Sequence, residues 1–188
     1  MNFTQKSHEE VSKFLKTADV VVDATSGGGF DSLFGASLLS ESGKIFCFDV
    51  QQTAIERTKK RLEQGGYLAK AHFFQIGHEQ MSEVLPTDIF GKVNCFFFNL
   101  GWLPNSDKQV ITKPQTTIKA LRSAIELADK SKCILSVLCY KAHDGGMQEF
   151  LEVEKFLMSV CEKIERFTDA NNPLSPELFV VKFLDAKK

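Results

Sequence analysis

Short apolar runs alternate along the chain with longer segments in which apolar residues recur every three or four positions. The runs are rich in Val, Ile and Phe and seldom alternate with polar residues, which is typical of strands buried on both faces of a parallel sheet. They cover residues 19–24, 45–49, 72–76, 93–98 and 133–139. The pattern therefore predicts five buried strands.

The segments between these runs have a helical period and cover residues 7–17, 30–40, 53–64, 115–129 and 147–162. Ser7 with Glu10 has the spacing of a capping box at a helix start, and so has Thr53 with Glu56. Strand–helix alternation with right-handed crossovers predicts a doubly wound α/β sheet.

The C-terminal part breaks this alternation. Residues 163–168 and 178–184 are predicted strands with no helix between them, so an antiparallel hairpin is the simplest connection. We predict a single α/β domain over residues 1–188, with a Rossmann-like, mostly parallel sheet and a C-terminal antiparallel hairpin. We associate that arrangement with class I methyltransferases.

Composition narrows the class of protein. The chain has 188 residues, of which 43% are hydrophobic and 25% charged, with a net charge of −1. This content is too apolar for disorder, and no run approaches the ~20 apolar residues of a membrane span. The polar N-terminal residues lack a signal peptide, so we expect a cytoplasmic protein. The near-neutral charge argues against a broad, sequence-independent grip on nucleic acid.

The five cysteines show no C-x-x-C pair, and the four histidines are scattered. This spacing favours neither a disulfide framework nor a metal site. Four cysteines lie in apolar runs and are predicted to be buried as small hydrophobic residues: Cys47, Cys95, Cys133 and Cys139.

The strongest local signal is a glycine-rich loop between a predicted strand and a predicted helix. The strand ends at Asp23, residues 26–29 read S-G-G-G, and Asp49 follows Gly29 by 20 residues, at the end of the second strand. This order predicts an adenosine-nucleoside site in which Asp49 accepts hydrogen bonds from ribose hydroxyls. His78, after the third strand, is a candidate adenine neighbour. The alternatives are a simple glycine turn, with Asp49 and His78 as helix caps.

The loop favours S-adenosylmethionine over a dinucleotide. A G-x-G-x-x-G site would have glycine where Ser32 stands, and Asp31 would repel a pyrophosphate at the helix start. S-adenosylmethionine has no phosphate and carries an ammonium group. Asp23 and Asp31 can pair with this group or with bound water near it.

The fourth strand should lie beside the first, so the loop that follows it should face the methyl group of the cofactor. The strand ends at Asn99 and continues through Leu100, Gly101, Trp102 and Leu103. Asn99 resembles the first residue of the N-P-P-Y loop of amino-group methyltransferases and can accept a hydrogen bond from an N–H nucleophile. Trp102 can stack on a base. The alternatives are a turn residue for Asn99 and a lid over the core for Trp102.

Further candidates flank this loop and follow the fifth strand. Lys108 and Lys113 can contact phosphate, although solvated surface lysines are more common. Tyr140 begins a loop that contains His143, which can accept a proton or orient a substrate. An exposed loop histidine is the alternative for His143.

Six segments together resemble a known family, the small bacterial rRNA methylase-like proteins of the YtqB/MnmM type, over residues 5–184. In order they are D-A-T-x-G-x-G-x-D from Asp23, F-D-V-Q from Phe48, H-E from His78, N-L-G-W-L-P-x-x-D-K from Asn99, T-K-P-x-T-T from Thr112 and H-x-G-G from His143. The fourth and fifth segments are the specific ones.

The resemblance implies an S-adenosylmethionine-dependent methyltransferase whose substrate is the tRNA wobble uridine, in the anticodon loop. There 5-aminomethyl-2-thiouridine would become 5-methylaminomethyl-2-thiouridine, and Asp107 or His143 would take the amine proton. Members are commonly homodimers. The implied cofactor residues are Asp23, Thr25, Gly27, Gly29, Asp31, Asp49, Val50, Gln51, His78, Glu79 and Asn99. The implied substrate residues are Leu100, Gly101, Trp102, Leu103, Lys108, Lys113 and Tyr140.

The chain departs from the family pattern in three places. Trp102 replaces a tyrosine, residues 105–106 replace two glycines, and residues 140–146 read Y-K-A-H-D-G-G instead of Y-P-G-H-P-G-G. Rival hypotheses are a methyltransferase that acts on rRNA or a small amine metabolite, an NAD(P)-binding oxidoreductase, and a non-catalytic RNA-binding module.

Overall fold

The computed structural model describes residues 2–101 and 111–184. Its strands are Ala18–Asp23 (β1), Leu39–Phe48 (β2), Ala71–Phe74 (β3), Cys95–Leu100 (β4), Lys132–Cys139 (β5), Ile164–Phe167 (β6) and Glu177–Leu184 (β7). Its α-helices are Phe3–Phe14 (α1), Phe30–Ser37 (α2), Gln52–Gln64 (α3), Met81–Val84 (α4), Pro114–Leu127 (α5) and Gly146–Val160 (α6).

The strands form one sheet in the order β3-β2-β1-β4-β5-β7-β6. The first five are parallel, whereas β7 pairs antiparallel with both β5 and β6. The prediction of a doubly wound sheet with a C-terminal antiparallel hairpin is confirmed. The chain crosses from β1 to β2 on one side and reaches β4 on the other, so the carboxyl ends of β1 and β4 flank the switch point, where open α/β sheets bind ligands.

Successive residues of the central strands point into two different cores, one on each face of the sheet. Val22 and Phe96 lie in the core that α4, α5 and α6 cover, whereas Val21 and Phe97 lie in the core that α1, α2 and α3 cover. Strands buried on both faces need no polar alternation, which is why they appear as unbroken apolar runs.

The start of α1 differs from the prediction. The helix begins at Phe3, and the side chain of Asn2 caps it by accepting a 3.0 Å hydrogen bond from the Gln5 N–H. Ser7 therefore lies inside the helix, where its hydroxyl hydrogen-bonds Ser136 of β5 at 2.7 Å. The predicted capping box at Ser7 is wrong because Phe3 is buried and extends the apolar face by one turn.

The second predicted capping box is also wrong. Helix α3 begins at Gln52, after Gln51, whose side chain makes no capping hydrogen bond. Glu56 accepts instead a 2.9 Å hydrogen bond from the Gln52 side chain, a pairing along the helix surface. Helix α4 and the single helical turn His78–Gln80 before it were not predicted, because four residues are too short to show a period.

The four cysteines predicted to be buried are buried, and burial raises the pKa of each thiol. Over residues 2–101 and 111–184, no helix has the length and apolarity to cross a membrane. In the same residues, no cluster of His, Cys, Asp and Glu could hold a metal ion. The domain extent, the cytoplasmic location and the homodimer stay predictions.

Candidate functional site

A cavity of about 680 Å³ opens at the carboxyl ends of β1, β2 and β4. Its size falls within the ~300–1,000 Å³ of small-molecule sites. The walls come from the glycine-rich loop, the ends of the three strands, the turn before α4, the segment leading into α5 and Tyr140. The cavity therefore lies at the switch point of the sheet.

The glycine-rich loop needs glycine for its backbone conformation. Gly27 and Gly29 have φ values of 49° and 76°, in the left-handed region that side chains disfavour. A Cβ atom on Gly29 would also lie 2.8 Å from the Cα of Thr58 in α3. The loop thus passes close to α3 and presents Gly27 and Gly28 to the cavity.

Asp49 stands where the sequence predicted a ribose-binding carboxylate. Its two oxygens accept 2.9 Å hydrogen bonds, Oδ2 from the Gly27 N–H and Oδ1 from the Gln51 N–H. Burial raises the pKa of Asp49, although these backbone donors oppose the shift. Because each carboxylate oxygen has a second lone pair, both can also accept from a pair of hydroxyls on a ligand.

Asp23 is fully buried and is not among the residues that line the cavity. It accepts a 2.5 Å hydrogen bond from the Ser32 hydroxyl and a 3.2 Å bond from the Thr25 N–H. Burial raises its pKa well above the usual range, and the nearby charge of Asp31 adds to the shift. The serine that replaces a glycine of the dinucleotide motif thus supports Asp23 beneath the loop. In this geometry Asp23 supports the loop from beneath, and its pairing with the ammonium group or with bound water near it stays a prediction.

Asp31 does line the cavity, and it joins β4 to the glycine-rich loop. The side-chain amide of Asn99 donates a hydrogen bond to Asp31. The backbone N–H of Asn99 donates a 2.6 Å hydrogen bond to the Thr25 hydroxyl. Three residues that the sequence predicted separately, Thr25, Asp31 and Asn99, are therefore in direct contact.

An apolar flank suited to a flat ring lies next to Asp49. Val50 is 51% exposed there, and Ile76 lines the same wall together with His78 and Glu79. Burial lowers the pKa of His78 to about 4, so the ring is neutral at physiological pH. The ring also hydrogen-bonds the backbone of Ala24.

The charges of the cavity wall fit an adenosyl cation better than a dinucleotide. Among the described residues that line it, Asp31, Asp49 and Glu79 are acidic and Lys113 is the single cation. A pyrophosphate needs donors or cations at the helix start, whereas a ligand with an ammonium and a sulfonium group needs carboxylates. The residues present therefore fit S-adenosylmethionine.

The structure places only some of the candidate substrate residues at the cavity. Gly101, Lys113 and Tyr140 line the cavity, and burial raises the pKa of the Tyr140 hydroxyl. Leu100 is buried in the core and His143 lies outside the wall. Four further candidates, Trp102, Leu103, Asp107 and Lys108, lie outside the described residues, so the structure says nothing of them.

Several lining residues were not predicted: Thr4, Ser26, Gly28, Phe30, Ile76, Gly77, Gln80, Ile111, Thr112 and Thr116. Most of them adjoin predicted residues in the same loops, so the motifs themselves could have indicated them. Thr4 carries no such signal, because only the packing of α1 brings it to the cavity.

Residues 45–181 match the family model described as "Putative rRNA methylase". The chain belongs to this family. The curated relatives include a chloroplastic tRNA (mnm(5)s(2)U34)-methyltransferase from Arabidopsis thaliana, 31% identical over 93% of this chain and 67% of the relative. They also include ribosomal RNA small subunit methyltransferase H from Oceanobacillus iheyensis, 33% identical over 46% of this chain and 26% of the relative.

Solved structures of similar proteins have the same fold. A "putative rRNA-methylase" from Clostridium thermocellum superposes with a TM-score of 0.88 at 34% identity, over 97% of both chains. A "putative methyltransferase" from Streptococcus mutans, solved in complex with SAH, has a TM-score of 0.82 at 26% identity, over 95% of this chain and 96% of that one. The family uses S-adenosylmethionine, and the predicted methyltransferase class and cofactor are confirmed.

Proposed function

We propose that the protein transfers a methyl group from S-adenosylmethionine to the aminomethyl nitrogen of 5-aminomethyl-2-thiouridine at the tRNA wobble position. The product would be 5-methylaminomethyl-2-thiouridine. The observation that carries this proposal is the alignment with the Arabidopsis tRNA (mnm(5)s(2)U34)-methyltransferase, which extends over 93% of this chain. An alignment of this extent includes both the glycine-rich loop and the segment that follows β4.

The cofactor is assigned to the part of the cavity between the glycine-rich loop and the turn before α4. Asp49 accepts hydrogen bonds from the ribose hydroxyls, with the backbone N–H of Gln51 holding its carboxylate. Val50, His78 and Glu79 flank the adenine. Gly27 and Gly29 allow the close approach of the backbone. Bound S-adenosylmethionine supplies a methyl group activated by a positively charged sulfur.

The substrate is assigned to the opposite part, around Gly101, Lys113 and Tyr140. Tyr140 is 39% exposed and offers a ring edge to the nucleoside, while Lys113 is exposed and can contact a phosphate. Trp102 is proposed to stack on a base. Leu100, Leu103 and Lys108 complete the proposed substrate residues.

The attacking amine must be neutral, and proximity to a sulfonium cation lowers the pKa of an ammonium group. Its lone pair forms the new N–C bond while the C–S bond breaks and the electron pair stays on sulfur. Because the side-chain nitrogen of Asn99 donates a hydrogen bond to Asp31, the side-chain oxygen of Asn99 is the atom that can accept a hydrogen bond from the amine. In-line placement of donor and acceptor supplies much of the remaining rate enhancement.

Asp107 and His143 are the proposed acceptors of the amine proton. The Nδ1 atom of His143 lies 2.9 Å from the carbonyl oxygen of Asp144. A carbonyl only accepts, so Nδ1 carries the proton in the neutral ring and Nε2 carries the lone pair. If Asp107→Asn and His143→Ala both transferred methyl groups at the wild-type rate under saturating cofactor, neither residue would be the base.

The deciding experiment is methyl transfer from labelled S-adenosylmethionine into tRNA that carries the aminomethyl-thiouridine, followed by mass analysis of the nucleosides. Methylaminomethyl-thiouridine is expected with the wild type and should be lost with Asp49→Ala. Parallel reactions contain rRNA and small amines, because ribosomal RNA small subunit methyltransferase H matches part of the chain. Product in these reactions and none in tRNA would overturn the tRNA proposal and leave the methyltransferase in place.

A further inference from the structure

A histidine outside all six sequence motifs contacts Asp31, a residue of the cavity wall. His8, in the middle of α1, places Nε2 2.5 Å from Oδ1 of Asp31. Its ring stacks on Phe34 of α2, with centroids 3.9 Å apart and planes 11° from parallel. The histidine side chain is 23% exposed and that of Asp31 is 7% exposed.

Asp31 needs such a partner because of its surroundings. It lies close to the buried carboxyl of Asp23, whose pKa its charge helps to raise. A buried carboxylate without donors loses its charge or moves toward solvent. His8 and Asn99 hydrogen-bond to different oxygens of this carboxylate, Oδ1 and Oδ2 respectively. The carboxylate is thus held in one orientation at the cavity wall.

We propose that His8 is a positioning residue that orients Asp31 toward the amino-acid end of the cofactor. The inference rests on the proposed cofactor site and on the predicted pairing of Asp31 with the ammonium group of the cofactor. His8 itself does not line the cavity, so it acts through Asp31. Its loss should weaken binding only of ligands that carry the ammonium group.

The competing explanation is that His8 merely packs α1 against α2, through its stack on Phe34 and an edge contact with Phe97. Two variants separate hydrogen bonding from packing. His8→Phe keeps an aromatic ring against Phe34 and removes the donor. His8→Gln removes the ring and keeps a side-chain nitrogen close to the position of Nε2.

The test measures calorimetric affinities for two ligands, S-adenosylhomocysteine and 5′-methylthioadenosine, which share the adenosine thioether while only the first has an amino-acid group. We expect His8→Phe to bind S-adenosylhomocysteine about tenfold more weakly, since hydrogen bonds to charged groups are strong. Its affinity for methylthioadenosine should not change. His8→Gln should restore most of the affinity for S-adenosylhomocysteine.

The matched control is His72→Phe. His72 also stacks on a phenylalanine, Phe46, with centroids 5.0 Å apart, but it is exposed on β3 and does not line the cavity. Thermal unfolding of each cofactor-free variant reports the packing contribution separately. His8→Met, which also lacks a donor, replaces His8→Phe should the latter fail to fold.

The outcomes are distinct. If the wild type bound neither ligand, the proposed cofactor site would be wrong and the inference would fall with it. If the wild type bound both and His8→Phe weakened both equally or neither, only the role of His8 would be wrong. Failure of His8→Gln to restore affinity, while folding normally, would also count against a hydrogen-bonding role.

Discussion

The hydroxyl of Thr112 donates a 2.6 Å hydrogen bond to Glu149, a carboxylate in the first turn of α6 that is only 2% exposed. The other carboxylate oxygen accepts an equally short bond from Thr117 in α5. The backbone N–H of Thr112 in turn donates to the carbonyl of Gly101 at the end of β4. Glu149 therefore joins α6 and α5 to the strand end that borders the cavity.

We expect Thr112→Val to impair methyl transfer more than cofactor binding. Valine keeps the shape of the threonine side chain but cannot donate a hydrogen bond. One oxygen of the buried Glu149 carboxylate then lacks its donor, which should lower the free energy of unfolding by about 1–2 kcal/mol. Because Thr112 and Gly101 line the substrate half, kcat/KM for the RNA should fall about tenfold. Thr53→Val, an exposed threonine of α3, is the control. A parallel loss of affinity for S-adenosylhomocysteine would contradict this division.

Asp49→Asn should weaken S-adenosylhomocysteine and 5′-methylthioadenosine by the same factor, about 100-fold. The NH2 group of the asparagine would face the N–H of Gly27 or of Gln51, so one hydrogen bond becomes a contact between two donors. The variant also offers fewer acceptors to the ribose hydroxyls, which both ligands share. Calorimetric titration measures both affinities. A selective loss of S-adenosylhomocysteine would mean that Asp49 contacts the amino-acid end instead of the ribose.

The pH dependence of the same titration tests the charge of Asp49. Its folded pKa is raised by burial, and the carboxylate form is the one that accepts two hydroxyls. Affinity for 5′-methylthioadenosine should therefore fall as pH decreases, beginning above the ~3.9 of an exposed aspartate. The Asp49→Asn variant should lose this pH dependence, and an unchanged profile in the variant would exclude Asp49 as its source.

Much of the site follows from local sequence because parallel strands end at one edge of the sheet. Gly27 and Asp49 are 22 residues apart, but each ends or follows a recognisable buried strand, so their contact could be expected. The contact of His8 with Asp31 could not be expected, since it depends on how α1 packs across α2. The burial of Asp23 likewise depends on the hydroxyl of Ser32. In the sequence, Ser32 was notable only because it replaces a glycine of the dinucleotide motif.

The buried carboxyl of Asp23 should make stability depend on pH. Its folded pKa is raised above the unfolded value, so the native state binds the proton more tightly. Stability from this group is therefore present at low pH and is lost as pH rises toward the folded pKa, by ~1.4 kcal/mol for each pH unit that separates the folded and unfolded pKa values. In urea unfolding from pH 5 to 9, the free energy of unfolding of Asp23→Asn should increase relative to that of the wild type as pH rises. Asp19→Asn, at an exposed position of the same strand, is the control. A difference between Asp23→Asn and the wild type that stayed constant with pH would mean that the carboxyl of Asp23 is not buried.

Two glycines with nearly the same backbone conformation allow two costs of substitution to be measured separately. One is the strain of the left-handed conformation, and the other is the steric clash between the glycine-rich loop and α3. Gly29 and Gly66 have φ values of 76° and 79°, and a Cβ on Gly66 would meet no atom within 4 Å. Gly66→Ala should therefore cost about 1 kcal/mol from the left-handed conformation alone. Gly29→Ala adds a Cβ 2.8 Å from the Cα of Thr58, so the loop or α3 must shift, and we expect a loss of about 3 kcal/mol. Urea unfolding measures both costs, and titration with 5′-methylthioadenosine should show weaker binding for Gly29→Ala only. Equal costs for the two variants would mean that the loop moves freely away from α3.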